Sequence, residues 1–206
     1  MNSRGDKKVF FNNSLFHVSR NVYEPAEDTF LLAEHLIHNV NENDVVLDVG
    51  TGCGILAVTA AKKAKKVVAT DINPFAIRCA KKNIHLNNVN EKVEVRKGNL
   101  FEPIKENEKF SLILFNAPYL PSEIWERTEW INKAWAGGLN GREIIDKFIH
   151  EAPKHLTEDG RILLVQSTLS NVEKTLENFR QNGLKAKIVA EKKTFFETIV
   201  LVQVTF

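Results

Sequence analysis

The chain has 206 residues, of which 43% are hydrophobic and 26% charged, with a formal net charge of +2. That length suits one α/β domain able to bury a core without cross-links, and the two cysteines, Cys53 and Cys79, are too few for a disulfide framework, so a reduced, cytoplasmic setting is expected. The balanced charge does not by itself point to nucleic acid, no apolar run is long enough to span a bilayer, and MNSRGDKKVF lacks the apolar centre of a secretory signal.

Residues 1–20, with Asn12-Asn13-Ser14 at their middle, read as an N-terminal extension that is partly mobile. A helix is predicted over Pro25–His38. Pro25 suits a first helical position, Glu27 and Asp28 suit the positive end of the dipole, and Phe30, Leu31, Leu32, Leu36 and Ile37 supply a buried face. Strands and helices then alternate: strand Asp44–Val49, helix Gly54–Ala64, strand Lys66–Thr70, helix Pro74–Leu86 capped by Asn73, short strand Val93–Arg96 and strand Phe110–Phe115. Helix Arg142–His155, strand Arg161–Gln166 and helix Asn171–Gln181 follow, the last stopped by Gly183. Two β-rich stretches, Ala186–Glu191 and Thr198–Thr205, close the chain. The Lys62-Lys63-Ala64-Lys65-Lys66 run falls at a helix end, where lysines suit the negative end of the dipole better than they suggest a phosphate patch.

This alternation predicts a single α/β domain over residues 1–206, a doubly wound, seven-stranded, mostly parallel sheet covered on both faces. The last two strands have no helix between them, so they pair antiparallel, giving an antiparallel C-terminal strand. Ligands are expected at the carboxyl ends of the strands.

The first core strand runs into Asp48-Val49-Gly50-Thr51-Gly52-Cys53-Gly54, which opens a helix, and an acid, Asp71, ends the next strand about twenty residues on. Glycines permit the tight turn and let a ligand touch the backbone. A dinucleotide site would want a third glycine at position 55, which is Ile55. The pattern instead fits S-adenosylmethionine (SAM), which has an ammonium for Asp48 to counter and no pyrophosphate to cradle. Gly50 and Gly52 then line the cofactor and Asp71 grips its ribose hydroxyls, a role compatible with capping the helix that follows Asn73-Pro74. Gly98-Asn99-Leu100-Phe101 follows the third strand, where Asn99 can bond an adenine edge and Leu100 can pack on it; a plain polar turn is the alternative.

Asn116-Ala117-Pro118-Tyr119 directly follows the fourth strand. An amide nitrogen is a poor nucleophile because its lone pair is delocalised. Two acceptors in line with its N–H groups hold it and favour pyramidalisation, and the Asn116 side-chain oxygen and the Ala117 carbonyl can be that pair. Pro118 stiffens the turn and Tyr119 can stack on a flat substrate group. Alone, such a peptide reads as an ordinary turn. After the glycine loop and Asp71 it reads as the catalytic element, placing Asn116 against both cofactor and substrate.

Three stretches then carry a family resemblance: Val22-Tyr23-Glu24-Pro25-Ala26-Glu27-Asp28-Thr29-Phe30-Leu31-Leu32, the tetrapeptide, and Ala134-Trp135-Ala136-Gly137-Gly138-Leu139-Asn140-Gly141-Arg142-Glu143. With the glycine loop and Asp71-Ile72-Asn73-Pro74, the chain resembles the HemK/PrmC protein-glutamine methyltransferases, most closely their short archaeal and eukaryotic branch. The resemblance implies a Rossmann-like class I SAM-dependent fold and methylation of the glutamine amide in the Gly-Gly-Gln motif of a class I translation release factor. It implies SAM contacts from Thr29, Asp48, Gly50, Asp71, Asn99 and Leu100, with no metal in this chain, and a substrate contact from Asn116. It also implies a small zinc-binding activator subunit forming a heterodimer, for which the edge strand Val93–Arg96 offers unpaired backbone. Two positions depart from the family pattern: Ala117 replaces a proline, and Asn99 replaces an aspartate.

Trp125, Trp130 and Trp135 all fall between the tetrapeptide and the next helix, and Gly137-Gly138 can act as a hinge. A substrate lid and an apolar patch sealing the core are equally supported. His35 and His38 share a helix face but have no further ligands near in sequence, so they read as ordinary helix residues. Two other functions stay open: an adenine-N6 methyltransferase acting on DNA or RNA, since exocyclic amines present the same planar nitrogen, and an inactive SAM-binding scaffold. The first lacks a duplex-gripping element, so nucleic acid is not the expected partner.

Overall fold

The computed structural model describes residues 6–122 and 129–206. Its elements are β1 (Lys7–Phe11), β2 (Ser14–Val18), α1 (Glu27–Asn39), β3 (Val45–Val49), α2 (Ile55–Ala61), β4 (Lys66–Asp71), α3 (Pro74–Leu86), β5 (Val93–Lys97), β6 (Phe110–Asn116), α4 (Glu143–Glu151), β7 (Leu156–Ser167), α5 (Val172–Gln181), β8 (Lys185–Lys193) and β9 (Thr198–Thr205). Strands β3 to β9 form one sheet in the order β5-β4-β3-β6-β7-β9-β8. Pairing is parallel from β5 through β7, and β9 runs antiparallel to both β7 and β8. The order reverses at β3, beside β6, which is where a doubly wound sheet opens a ligand crevice.

The central strands are apolar along their whole length because helices cover both faces. Val46, Leu47, Leu112, Ile113, Leu114, Ile162 and Leu164 are all fully excluded from water. At the amino ends of the strands the buried Asp44 carboxylate takes Arg161 and the Ser111 hydroxyl at 2.7–3.1 Å, which holds its pKa below the usual carboxylate range against the opposing effect of burial. That polar staple fastens β3, β6 and β7 at the end opposite the glycine loop.

The N-terminal stretch holds two strands that the sequence pattern does not announce. Residues 7–18 form an antiparallel hairpin whose turn, Asn12-Asn13, has φ of 43° and 58°. Asparagine tolerates the left-handed region that a two-residue hairpin turn requires. The buried Asn83 side chain of α3 pins this hairpin, donating to the carbonyls of His17 and Cys53 and accepting from the His17 N–H at 2.8–2.9 Å. The hairpin is thereby tied to the glycine loop.

Candidate active site

The strand β3 ends where the chain must turn sharply into α2, and Gly50, Gly52 and Gly54 all take positive φ there. At Gly54 a side chain would also press on Ala80 of α3 at 3.2 Å, so the turn and the α2–α3 packing both depend on its absence. Asp71, at the end of β4, accepts the Gly52 N–H at 2.9 Å and the Asn73 N–H at 2.8 Å. It therefore clamps the loop and starts α3, where the Asn73 side chain caps Phe75. Burial raises the Asp71 pKa, and the two N–H donors oppose the rise.

These residues wall a cavity of about 370 Å³. Gly50, Gly52, Asp71, Asn99 and Leu100 line it, together with Thr29 and Asn116. Leu100 takes a φ of +46°, which turns the chain after β5. The Asn99 N–H is held by Glu102 at 2.9 Å. Asp48 is a different case. It is fully buried behind the loop, and the cavity wall does not include it. One oxygen accepts the Thr51 hydroxyl at 2.6 Å and the other has no partner. Burial, with Asp71 nearby, pushes its pKa up to about 7 despite the Thr51 bond.

A second cavity, about 330 Å³, lies on the other side of Asn116 and is lined by Asp28, Ala117, Tyr119 and Trp135. The two cavities share Tyr23, Asn116 and Ala134, so Asn116 stands in the wall between them. Its orientation follows from a chain of hydrogen bonds. Asp28 Oδ1 accepts the Thr29 N–H at 2.6 Å and the Thr29 hydroxyl at 3.1 Å. A hydroxyl has one proton, and Thr29 has given it to Asp28, so Thr29 Oγ1 can only accept from Asn116. Asn116 Nδ2 donates to it at 3.1 Å. The carboxamide oxygen is thereby turned away from Thr29, and it is buried with no partner. A buried acceptor without a donor is costly.

Asp28 Oδ2 also accepts the hydroxyls of Tyr23 at 3.1 Å and Tyr119 at 3.3 Å. Burial and the Asp28 charge hold both phenols well above their usual range, so they remain hydrogen-bond donors. Asp28 and Tyr23 are the site residues that sequence reasoning missed. Asp28 looks like a helix-dipole charge, and nothing in periodicity announces that its side chain reaches the tetrapeptide. The signal lay in the Val22–Leu32 stretch, which contains both residues.

Past the tetrapeptide, the backbone of Leu120 and Ser122 is tied to that of Trp135, Gly137 and Gly138. Leu120 N–H donates to the Trp135 carbonyl at 3.0 Å, Gly137 N–H to the Leu120 carbonyl at 2.8 Å, and Ser122 N–H to the Gly138 carbonyl at 2.9 Å. A side chain at Gly137 would meet the carbonyls of Pro118 and Gly141 at 2.6 Å. Close approach of backbones, not a hinge, explains glycine there. The buried Arg142 sends its guanidinium to the carbonyls of Ser170 and Asn171, to the Thr175 hydroxyl and to Asp146 at 2.6–3.0 Å. Trp130 borders the large cavity and Trp135 the small one, whereas Trp125 lies outside the described residues. Among the described residues no group of His, Cys, Asp and Glu could hold a metal ion.

Comparison with known proteins gives the family. The family model described as ribosomal protein L11 methyltransferase (PrmA) matches residues 27–131, the part that holds the glycine loop, Asp71 and the tetrapeptide. A Methanocaldococcus jannaschii protein named as a protein N5-glutamine methyltransferase is 42% identical over 183 residues, covering 88% of this chain and 90% of its own. Human methyltransferase HEMK2 is 33% identical over 92% of this chain and 94% of its own length. Among solved structures, one chain of the E. cuniculi Mtq2–Trm112 complex, described as responsible for methylation of the eRF1 translation termination factor, has a TM-score of 0.68 at 25% identity over 90% of this chain and 98% of that one. The ribosomal protein L11 methylase of Lactobacillus delbrueckii subsp. bulgaricus shares the fold, with a TM-score of 0.68 at 24% identity over 97% of this chain and 90% of that one. The L11 match stops before the Ala134–Glu143 stretch, whereas the N5-glutamine relatives match nearly end to end; with its seven-stranded, mostly parallel class I methyltransferase sheet, this chain belongs to the HemK-type protein N5-glutamine methyltransferases.

Proposed function

We propose that this chain methylates the side-chain amide nitrogen of a glutamine in a class I translation release factor, the glutamine of its Gly-Gly-Gln motif, using SAM. The observation that carries the reading is the unpartnered, buried carboxamide oxygen of Asn116, held between two cavities by Thr29 and Asp28. Bound SAM supplies an electrophilic sulfonium methyl. Gly50, Gly52, Asp71, Asn99, Leu100 and Thr29 hold SAM in the larger cavity, and Asp48, buried behind the loop and outside the cavity wall, counters the SAM ammonium through its charge and not by contact. Asn116 and the Ala117 carbonyl accept the two N–H groups of the target amide from the smaller cavity, and Tyr119 packs on its plane. Orientation in a dry site is the main contribution such groups make to transfer from a poor nucleophile.

A release factor as substrate is supported by the names of relatives. An Aquifex aeolicus release factor glutamine methyltransferase is 32% identical over 88% of this chain and 63% of its own. The Mtq2–Trm112 neighbour supports a small activator partner. We assign that partner, with a zinc site of its own, to the β5 edge. The opposite edge, β8, is guarded by Lys185, Lys187, Lys192 and Lys193 and broken by a register shift between Ile188 and Ala190, devices that discourage pairing. No helix among the described residues is long and apolar enough to cross a membrane, and we place the reaction in the cytoplasm.

The test is incubation with isotopically labelled SAM and, in parallel, a release factor, the same factor with its Gly-Gly-Gln glutamine substituted, and duplex DNA. Label on the first alone is expected. Label on DNA alone would establish the adenine-N6 activity instead, and no label on any of them would leave a SAM-binding scaffold.

A further inference from the structure

The loop joining β8 to β9, Thr194–Glu197, carries features that the chemistry above does not use. Glu197 lines the smaller cavity together with Asn116, Tyr119 and Trp135. Its Oε2 is shielded from solvent and has no hydrogen-bond partner, the same condition as Asn116 Oδ1 in the same cavity. Asp28, the other carboxylate there, is already occupied by Tyr23, Tyr119 and Thr29. A carboxyl oxygen deprived of both water and donor marks a place for an incoming N–H.

Just before it, Phe195 and Phe196 are 93% and 86% exposed, with ring centroids 5.0 Å apart in an edge-to-face pair. Two adjacent phenylalanines held in water are costly and mark an interaction surface. The tip is not slack. Thr194 donates through N–H and hydroxyl to the Glu197 carbonyl at 2.9 Å, and Thr198 N–H donates to the Thr168 hydroxyl at 3.1 Å.

We propose that this hairpin tip is the docking element for the protein substrate. Glu197 accepts a backbone N–H of the segment carrying the target glutamine, and the Phe195–Phe196 pair buries against an apolar surface of the same molecule outside the cavity. Continuity selects the occupant: the apolar pair is adjacent in sequence to a cavity-lining residue, so whatever fills the cavity reaches the pair. A partner on the β5 edge cannot cover it, because six strand spacings of about 4.8 Å separate β5 from β8. The proposal rests on the glutamine reading, and Glu197 acts in it as a positioning residue.

The experiment compares steady-state methylation of an intact release factor with that of a short Gly-Gly-Gln peptide, using the full chain and the variants Phe195→Ala/Phe196→Ala, Glu197→Ala and Glu197→Gln, with SAM affinity by calorimetry as the folding control. The double phenylalanine variant should lose at least tenfold more kcat/KM on the intact factor than on the peptide, through KM. Glu197→Ala should raise KM about tenfold on both, and Glu197→Gln, which keeps an acceptor oxygen, should restore most of that loss. Equal losses on both substrates for the double variant, or an unchanged KM for Glu197→Ala, would overturn the docking role while leaving the glutamine reading intact. A wild-type chain that labels neither factor nor peptide, alone or with its small activator subunit added, would overturn both.

Discussion

At the scale of single residues, the site is built from side chains that have lost the choice of partner. Thr29 must accept from Asn116 because its proton is committed to Asp28. Asp71 has spent one lone pair of each oxygen on Gly52 and Asn73, and each oxygen keeps capacity for a ligand hydroxyl. Asp71→Ala should weaken SAM binding by about 1.5–3 kcal/mol, measured by calorimetry on folded protein. Asp48 gives a pH signature. With its carboxyl raised to about 7, it is protonated below that pH in the unliganded chain, whereas the role we propose for it toward the SAM ammonium needs the carboxylate. SAM affinity should therefore fall about tenfold per unit as pH drops below about 7 and level off above it, and Asp48→Asn should flatten the profile. The same raised value means that the unfolded chain releases this proton first, so the unliganded fold loses the group's contribution as pH rises from the ordinary aspartate range to about 7. These partners were only partly legible in sequence. Asp71, the loop glycines and Asn116 stand at strand ends, which alternation marks out. The bond from Asn116 to Thr29 spans 87 positions, and no local pattern encodes it.

At the scale of elements, the strands and helices follow hydrophobic pattern closely because each is one layer of a covered sheet. Pro74–Leu86 and Thr198–Thr205 have the boundaries that Asn73 capping and β-branched runs imply. The predicted helix Arg142–His155 instead splits into α4 and a 3-10 turn over Ala152–His155, because Pro153 cannot donate to a helical ladder. The β1–β2 hairpin was missed because its turn is Asn-Asn rather than Asn-Gly, and its order depends on Asn83, far along the chain. Arg142 locks the Ala134–Glu143 segment to α5, and so holds the backbone that packs under Pro118 and Tyr119. Arg142→Met should destabilise the fold by about 3 kcal/mol, because it leaves the Ser170 carbonyl and the Thr175 hydroxyl buried without their donor and removes the bonds to Asn171 and Asp146. Chemical denaturation should show that loss as a lower midpoint with an unchanged slope.

At the scale of the whole molecule, a polar staple closes the amino ends of the strands and two joined cavities open at their carboxyl ends, one at the glycine loop and one against Tyr119 and Glu197. Fold class and the antiparallel pairing of the last two strands were readable from alternation, whereas the division into two cavities either side of Asn116 was not, since it depends on α1 bringing Asp28 and Thr29 over the end of β6. Asn116 stands where the two spaces meet, so its substitution separates binding from transfer. The most direct measurement is single-turnover methylation of a release factor by Asn116→Ala, alongside SAM affinity by calorimetry. The rate should fall about 10²–10³-fold, the usual loss for one oriented polar group, with SAM affinity within about twofold of wild type. A variant that binds SAM and still transfers at the wild-type rate would contradict the assignment.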